Sequence, residues 1–171
     1  NGEGLAVVDP HGDLAKELLD FVPKERINDV VYFNPADLEY PIGLNVFKEV
    51  SKEERHLVAS GLMSVFHRMF SDSWGPRLEH ILRNSIYALL EFPGSTLLGI
   101  PRILYDDRYR KKVVEKVEDP KVKDFWMNEY ANYDNSFKTQ AISPVLNKVG
   151  KFLTAPLLRN IIGQAGKKLD F

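Results

Sequence analysis

The sequence predicts a mainly α protein in which a small parallel βαβ unit precedes an all-α domain. Three observations support this prediction. Two short apolar runs flank an amphipathic segment near the N-terminus, proline and glycine interrupt residues 34–50, and apolar residues follow a helical period from Ser51 onward. We therefore place the βαβ unit with its connecting loop in residues 1–50 and the all-α domain in residues 51–171.

The βαβ unit is predicted from residues 5–33. Residues 5–8 are apolar without a polar break, which is typical of a strand buried on both faces. A turn at residues 9–12 follows, and Asp13 is well placed as the N-cap of an amphipathic helix. A second short strand is predicted at residues 29–33. Because two strands alone leave their edges and one face uncovered, we also expect the chain to self-associate through them.

The all-α domain is predicted from helix signals that recur after residue 50. Ser51 and Glu54 have the spacing of a capping box ahead of an apolar run, and Pro76 suits the first turn of the next helix. Pro144 is expected to kink the longest later helix or to mark its start. Beyond residue 94, helices are expected at about 95–105, 106–117, 120–132, 135–153 and 156–162.

Charge is distributed unevenly, although the formal net charge is only −1. Residues 1–50 hold ten acids and four bases, whereas residues 137–169 hold no acid and six bases. Such asymmetry suggests a surface that faces a polyanion. The alternative is that these bases only solvate helices or pair with the acidic N-terminal part. The six bases are Lys138, Lys148, Lys151, Arg159, Lys167 and Lys168.

Composition indicates a globular protein of a reducing compartment. The 171 residues are 44% hydrophobic and 27% charged, and the absence of cysteine excludes disulfides and thiolate metal sites. No apolar run approaches the roughly 20 residues of a membrane span, and no signal-peptide pattern begins the chain. We therefore expect a cytoplasmic protein. Because the sequence starts with Asn1 rather than Met and a predicted strand begins at Leu5, we also expect the chain to be part of a longer protein.

Two stretches resemble the HerA/FtsK-like P-loop ATPases, in particular the TraD/TraG-like coupling proteins of type IV secretion and conjugation. The first is residues 4–14, Gly-Leu-Ala-Val-Val-Asp-Pro-His-Gly-Asp-Leu. The second is residues 71–84, Ser-Asp-Ser-Trp-Gly-Pro-Arg-Leu-Glu-His-Ile-Leu-Arg-Asn, to which residues 147–150 and 159–164 add further similarity. The resemblance spans essentially the whole chain and implies a βαβ piece of the ATPase core followed by the all-α insertion.

The resemblance also implies sites and partners. In that family the turn after the first strand borders the nucleotide, so Asp9, His11 and Gly12 are implied to lie beside phosphates or magnesium-bound water, with a purely structural turn as the alternative. The all-α insertion is implied to meet DNA, the relaxosome or another protein cargo in a ring hexamer, at the cytoplasmic face of the inner membrane. The candidate DNA-binding residues are then Lys138, Lys148, Lys151 and Arg159.

The catalytic parts of such an ATPase are missing from this sequence. There is no Gly-x-x-x-x-Gly-Lys-Ser/Thr loop to hold a triphosphate, and no apolar strand ends in Asp-Glu to hold magnesium and activate water. We therefore assign no catalytic residue, metal ligand or cofactor to this chain and expect ATP and Mg²⁺ to bind elsewhere in the whole protein. At Asp9, His11 and Asp13, turn chemistry is favoured over a metal site.

Two further interpretations stay open. The aromatic residues near Trp74 and Trp126 can stack on single-stranded bases, or they can belong to the core, which is the commoner use of aromatics at helical spacing. A different class of function is a non-enzymatic helical adaptor that docks a protein partner through the helices of residues 95–132. Salt dependence separates the two functions, because phosphate binding weakens steeply with salt and apolar docking does not.

Overall fold

The computed structural model describes residues 3–166, and the chain divides into two compact units, Asn1–Phe33 and Asn34–Phe171. The α-helices of the described residues are α1 (Asp13–Leu19), α2 (Arg55–Met69), α3 (Pro76–Leu90), α4 (Gly99–Tyr105), α5 (Asp107–Lys116), α6 (Pro120–Asp124), α7 (Asn135–Thr154) and α8 (Pro156–Ile162). Short 3-10 helices lie at Lys24–Asp29, Ser71–Ser73 and Tyr130–Asn132, and one turn of π-helix lies at Phe125–Glu129. Within this part of the chain, no helix combines the length and apolar character that a membrane crossing requires.

The prediction of a parallel βαβ unit is wrong, because no residue from 3 to 166 lies in a β-strand. Leu5 and Val8, expected to be buried in the first strand, are 81% and 94% exposed. The physical reason is that a strand takes its hydrogen bonds from neighbouring strands, and two runs of four or five residues supply neither a third strand nor a covering layer. The predicted self-association through these strands therefore loses its structural basis.

In the first unit, Asp9 rather than Asp13 caps α1. The two carboxylate oxygens of Asp9 accept hydrogen bonds from the backbone N–H groups of His11 and Ala15, each at 3.0 Å. Gly12 occupies the N-cap position with φ of 85°, a left-handed conformation that glycine adopts without steric strain. Asp13 is the first residue of the helix, where its charge favours the positive helix end, but its side chain makes no capping bond.

All but one of the helices predicted in the second unit are confirmed, with shifts at their ends. The backbone N–H of Ser51 donates to Glu54 Oε2 at 3.1 Å and that of Glu54 to Ser51 Oγ at 3.3 Å, which is a capping box before α2. Pro76 is the first residue of α3, and α8 has its predicted bounds. The segment predicted as one helix at 120–132 is instead α6, the π turn and a 3-10 turn. Pro144 lies inside α7 and does not mark its start.

The core of the second unit surrounds α3. This helix packs against α2, α4 and α7 and also contacts α5 and α6. Its apolar stripe is broad enough for that central place, because apolar side chains recur every three or four residues over four turns. The buried side chains of α3 are Leu78, Ile81, Leu82, Ser85, Ile86, Ala88, Leu89 and Leu90. The buried hydroxyl of Ser85 donates to the carbonyl of Ile81 at 2.8 Å, so it costs little to bury.

Part of the connection predicted at residues 34–50 is held against the C-terminal end of the second unit. Asn45 is only 3% exposed, and its Nδ2 donates to the carbonyls of Ser95 at 2.9 Å and Ala165 at 3.2 Å. The carboxamide oxygen of Asn45 accepts from the backbone N–H of Phe47 at 3.1 Å. Gln164 Nε2 donates to a carbonyl of this segment, that of Pro41, at 2.9 Å. The polar groups of Asn45 and the carbonyl of Pro41 are thus hydrogen-bonded, as expected for a segment that packs against the rest of the second unit.

Candidate nucleic-acid interface

The four predicted DNA-binding residues do not form one patch. Lys138, Lys148 and Lys151 lie on α7, and Arg159 lies on α8. Lys138 is in the first turns of α7 and precedes Lys148 by ten residues, which corresponds to about 15 Å of helix. The structure therefore separates Lys138 from the other two lysines. Lys167 and Lys168 lie outside the described residues.

Lys138 has a carboxylate partner. Its Nζ lies 3.8 Å from Asp107 Oδ1 and 5.1 Å from the centre of the Tyr130 ring. Asp107 also pairs with Arg110, so this one carboxylate forms ion pairs with both Arg110 and Lys138. The Asp107 carboxylate therefore partly balances the charge of Lys138, which weakens the attraction of this lysine for a phosphate.

Lys148 and Lys151 lie beside the half-buried ring of Phe70. Their Nζ atoms are 5.9 and 5.6 Å from the centre of that ring, within the range of a cation–π interaction. Phe152 packs edge-on against Phe70, with ring centres 6.2 Å apart. We name Phe70, Lys148, Lys151 and Phe152 the Phe70 cluster. No carboxylate of residues 3–166 lies within 4.0 Å of either ammonium group, although Lys148 is only 9% exposed.

Arg159 is exposed on α8. Its carbonyl accepts the N–H of Gly163, the C-cap residue of that helix, whereas its guanidinium forms no ion pair with a described residue. Arg159 thus adds a positive charge that no carboxylate of residues 3–166 balances.

The second aromatic group belongs to the core, as the core interpretation predicted. Phe125, Trp126 and Tyr130 are each at most 3% exposed and contact one another. Tyr130 donates its hydroxyl to the carbonyl of Leu104 at 2.7 Å, and burial raises the pKa of Tyr130 to about 12. These rings already have partners, so stacking on nucleic-acid bases is excluded for them.

Trp74 borders an open groove of about 400 Å³ lined by Trp74, Gly75, Pro76, Glu79, His80 and Arg83. Its Nε1 donates to Glu79 Oε2 at 3.0 Å, and Arg83 also binds the Glu79 carboxylate. The hydrogen bond from Trp74, followed by that from Arg83, holds the pKa of Glu79 below its ordinary value. Trp74, Glu79 and Arg83 therefore satisfy one another's polar groups. The spacing of Glu79 and Arg83 by four residues on one helix is the sequence signal for this pair.

His80 joins a second polar contact that the sequence analysis missed. Its Nε2 lies 3.0 Å from Glu129 Oε2, and the Tyr133 hydroxyl donates to Glu129 Oε1 at 2.6 Å. Desolvation raises the pKa of Glu129, but the hydrogen bonds from Tyr133 and His80 outweigh it and leave that pKa below its ordinary value. Because 49 residues separate His80 from Glu129, no local pattern could have indicated this contact.

The predicted nucleotide-adjacent residues form the turn before α1. Both oxygens of Asp9 are occupied by backbone N–H groups, and chiefly the one of Ala15 holds the pKa of Asp9 below its ordinary value. His11 is exposed. Gly12 has open space where a Cβ would lie, so its left-handed backbone and not crowding requires glycine. These contacts make Asp9 and Gly12 parts of the turn itself.

Comparisons of this chain with protein-family models, curated proteins and solved structures find no match. The resemblance carried by residues 4–14 and 71–84 therefore stays an expectation from the sequence.

Proposed function

We propose that this chain is part of a DNA-translocating ATPase of the type IV secretion coupling type, in which its helical unit contacts DNA or a protein cargo. The chain itself is not the catalytic part in this proposal. Two observations support it. Residues 71–84 and 147–150 resemble that family, and the helices that contain most of these residues, α3 and α7, pack against each other.

The observation that carries the proposal is the Phe70 cluster. A lysine that is almost fully buried normally has a carboxylate partner, and Lys148 has none among the described residues. Lys151, three residues further along the same helix, adds a second ammonium group beside the same ring, and it too has no carboxylate partner among residues 3–166. Two adjacent cations attract a phosphate, and the ring of Phe70 offers an apolar edge to a sugar or base.

Other parts of the proposal concern the whole protein. ATP and Mg²⁺ bind outside this chain, the subunits form a ring hexamer, and the ring works in the cytoplasm at the inner membrane. The DNA or the relaxosome cargo then passes the helical unit. These parts rest on the family resemblance alone.

A protein-binding adaptor is the second candidate, and one observation favours it. Tyr105 at the end of α4 and Met127 in the π turn expose 64% and 57% of their surface. Large exposed side chains of this kind can dock an apolar partner. Both residues lie within the segment 95–132 that the adaptor hypothesis names.

Fluorescence anisotropy of labelled duplex and single-stranded DNA with the whole chain tests the first proposal. We expect weak binding, with a Kd on the order of 10–100 µM at physiological salt. The double variant Lys148→Gln/Lys151→Gln should reduce the slope of log K against log salt by about 1.8, because each phosphate contact contributes about 0.9. Lys148→Arg, which keeps the charge, should bind like the parent.

Two controls distinguish DNA binding at the Phe70 cluster from a general effect of the protein's net charge. Lys16→Gln/Lys24→Gln removes the same charge from the first unit and should leave binding unchanged. Lys138→Gln should have little effect, because that lysine is paired with Asp107. If the Lys148/Lys151 variant keeps its fold and binds DNA as well as the parent, the proposal fails and the adaptor becomes the better hypothesis.

A further inference from the structure

The outward face of α5 carries a concentrated positive charge. Four bases and one acid occupy positions i, i+3, i+4, i+7 and i+8, which lie on one side of a helix. All five side chains are exposed. They are Arg108, Lys111, Lys112, Glu115 and Lys116.

The acids next to this face are engaged elsewhere. Asp106 binds Arg102 through its Oδ2 at 3.2 Å, and Asp107 binds Arg110 and Lys138. The charged side-chain groups of the outward face form no hydrogen bond or ion pair with any residue from 3 to 166. Four cations therefore stand against the single carboxylate of Glu115.

The inward face of α5 holds the helix in place. Val113 is fully buried, and the Arg110 guanidinium donates to the carbonyls of Ile103 at 3.0 Å and Leu104 at 3.2 Å. The Tyr109 ring is covered by Arg102, whose guanidinium carbon lies 4.3 Å from the ring centre. The outward cations are thus presented on a helix that the core fixes in position.

We propose that the outward face of α5 binds the phosphate backbone of a nucleic-acid duplex without reading its sequence. Arg108 and Lys116 are eight residues apart, so the face spans about 12 Å of helix. A duplex carries about seven phosphate charges over the same length, at one per about 1.7 Å. The proposal does not rest on the proposed function, because its residues lie outside the Phe70 cluster.

The chemistry of the face favours nucleic acid over the other polyanions. A protein interface needs an apolar centre, and the outward face of α5 presents only charged side chains, whereas interfaces with DNA are polar and strongly positive. A helix that lies in a membrane surface inserts its apolar side, and the apolar side of α5, with Val113, is buried in the core.

The test measures binding of the whole chain to a labelled 20-base-pair DNA duplex over a series of salt concentrations. The triple variant Lys111→Gln/Lys112→Gln/Lys116→Gln should bind at least about tenfold more weakly at low salt, and the salt slope should fall by about 2.7. Replacing the same three lysines by Arg should preserve binding. Glu115→Gln, which removes the opposing charge, should tighten binding about threefold, an effect that unfolding cannot mimic.

Three results would overturn the proposal. The first is unchanged binding by the triple Gln variant when its circular dichroism and melting temperature match those of the parent. The second is an equal loss in Lys16→Gln/Lys24→Gln/Lys52→Gln, which removes the same charge elsewhere and would show that only net charge matters. The third is equally tight binding of a glutamate-rich peptide of matched charge, which would assign the face to an acidic protein. Because the Phe70 cluster is intact in every variant, failure here is distinct from failure of the proposed function.

Discussion

The two units use similar apolar side chains in opposite ways. In residues 3–33 no side chain is buried, and Leu5, Val8 and Phe21 are each more than three quarters exposed. In residues 34–166, Ile81, Ile86 and Leu89 have no exposed surface. The apolar runs of the first unit are as hydrophobic as those of α3, so hydrophobicity alone does not explain the difference.

The two units differ in whether neighbouring helices are present to bury each apolar run. An α-helix closes its own backbone hydrogen bonds and needs only neighbours for its apolar stripe, and α3 has α2, α4 and α7 around it. Residues 3–33 of the first unit form α1 and one 3-10 helix, and neither helix contains a buried residue. An apolar run therefore becomes core only where the same chain supplies a partner.

The largest effect is expected when one apolar side chain in each unit is truncated to alanine. Ile86→Ala removes a fully buried side chain of α3, and the free energy of unfolding in denaturant should fall by about 2–5 kcal/mol. Val8→Ala shortens an exposed side chain and should change it by less than about 0.5 kcal/mol. An equal loss of unfolding free energy in the two variants would show that Val8 is buried in solution. The proposed difference between the two units would then be wrong.

A smaller effect is expected where the second unit is held by polar contacts. Asn45→Ala removes two donated hydrogen bonds and leaves the buried N–H of Phe47 without its acceptor, which should cost about 1–3 kcal/mol of unfolding free energy. The matched control is Asn34→Ala, whose side chain accepts one bond from the N–H of Ala36 in an exposed turn. If Asn34→Ala costs as much as Asn45→Ala, residues 41–48 are not a packed element.

The parts of the fold that the sequence predicted are local ones. A capping box needs only two residues three apart, and Ser51 and Glu54 form one. Proline at the start of α3 and α8 acts through its own ring, so Pro76 and Pro156 could be placed from the sequence. The strands failed because their partners are not local. An apolar run of four residues looks the same with or without a neighbouring strand.

The candidate site likewise depends on contacts between residues that are far apart in the sequence, which a local pattern cannot predict. Lys138 and Lys148 lie in the same acid-free stretch. Lys138 is nevertheless paired with Asp107, which lies 31 residues earlier in the chain, whereas Lys148 has no carboxylate partner in the part of the chain that the structure describes. The proximity of Phe70 to Lys148 joins positions 78 residues apart, which no local spacing indicates. The number of charges in a stretch of sequence therefore does not show which lysines are free to bind a phosphate. Their positions in the folded chain are needed for that.

A helix cap in the second unit gives a further, smaller effect. Asp134 Oδ1 accepts the N–H of Phe137 at 2.9 Å and caps α7, so Asp134→Ala should lower the free energy of unfolding by about 1 kcal/mol. Asp134→Asn keeps the acceptor and should cost less. A loss in Asp134→Asn equal to that in Asp134→Ala would show that charge, and not the capping bond, stabilises the start of α7.

The smallest effect concerns the cap of α1, which no core supports. The pKa of Asp9 is held below its ordinary value near 3.8, mainly by the N–H of Ala15. A carboxylate with a lowered pKa in the folded state stabilises that state above the unfolded pKa, and this stabilisation disappears as pH falls through the folded pKa. We therefore expect α1 to loosen below about pH 4 while the second unit keeps its structure.

Amide exchange or chemical shift of Ala15, followed by NMR from pH 6 to pH 2, measures this loosening directly. In Asp9→Asn the titrating group is gone, so the pH dependence at Ala15 should vanish, whereas Asp13→Asn should retain it because Asp13 makes no capping bond. A cap in a unit without buried side chains controls only its own helix, so the melting temperature of the second unit should not follow Asp9. If Ala15 still titrates in Asp9→Asn, or if the second unit melts earlier as Asp9 is protonated, then α1 is stabilised by contacts other than this carboxylate.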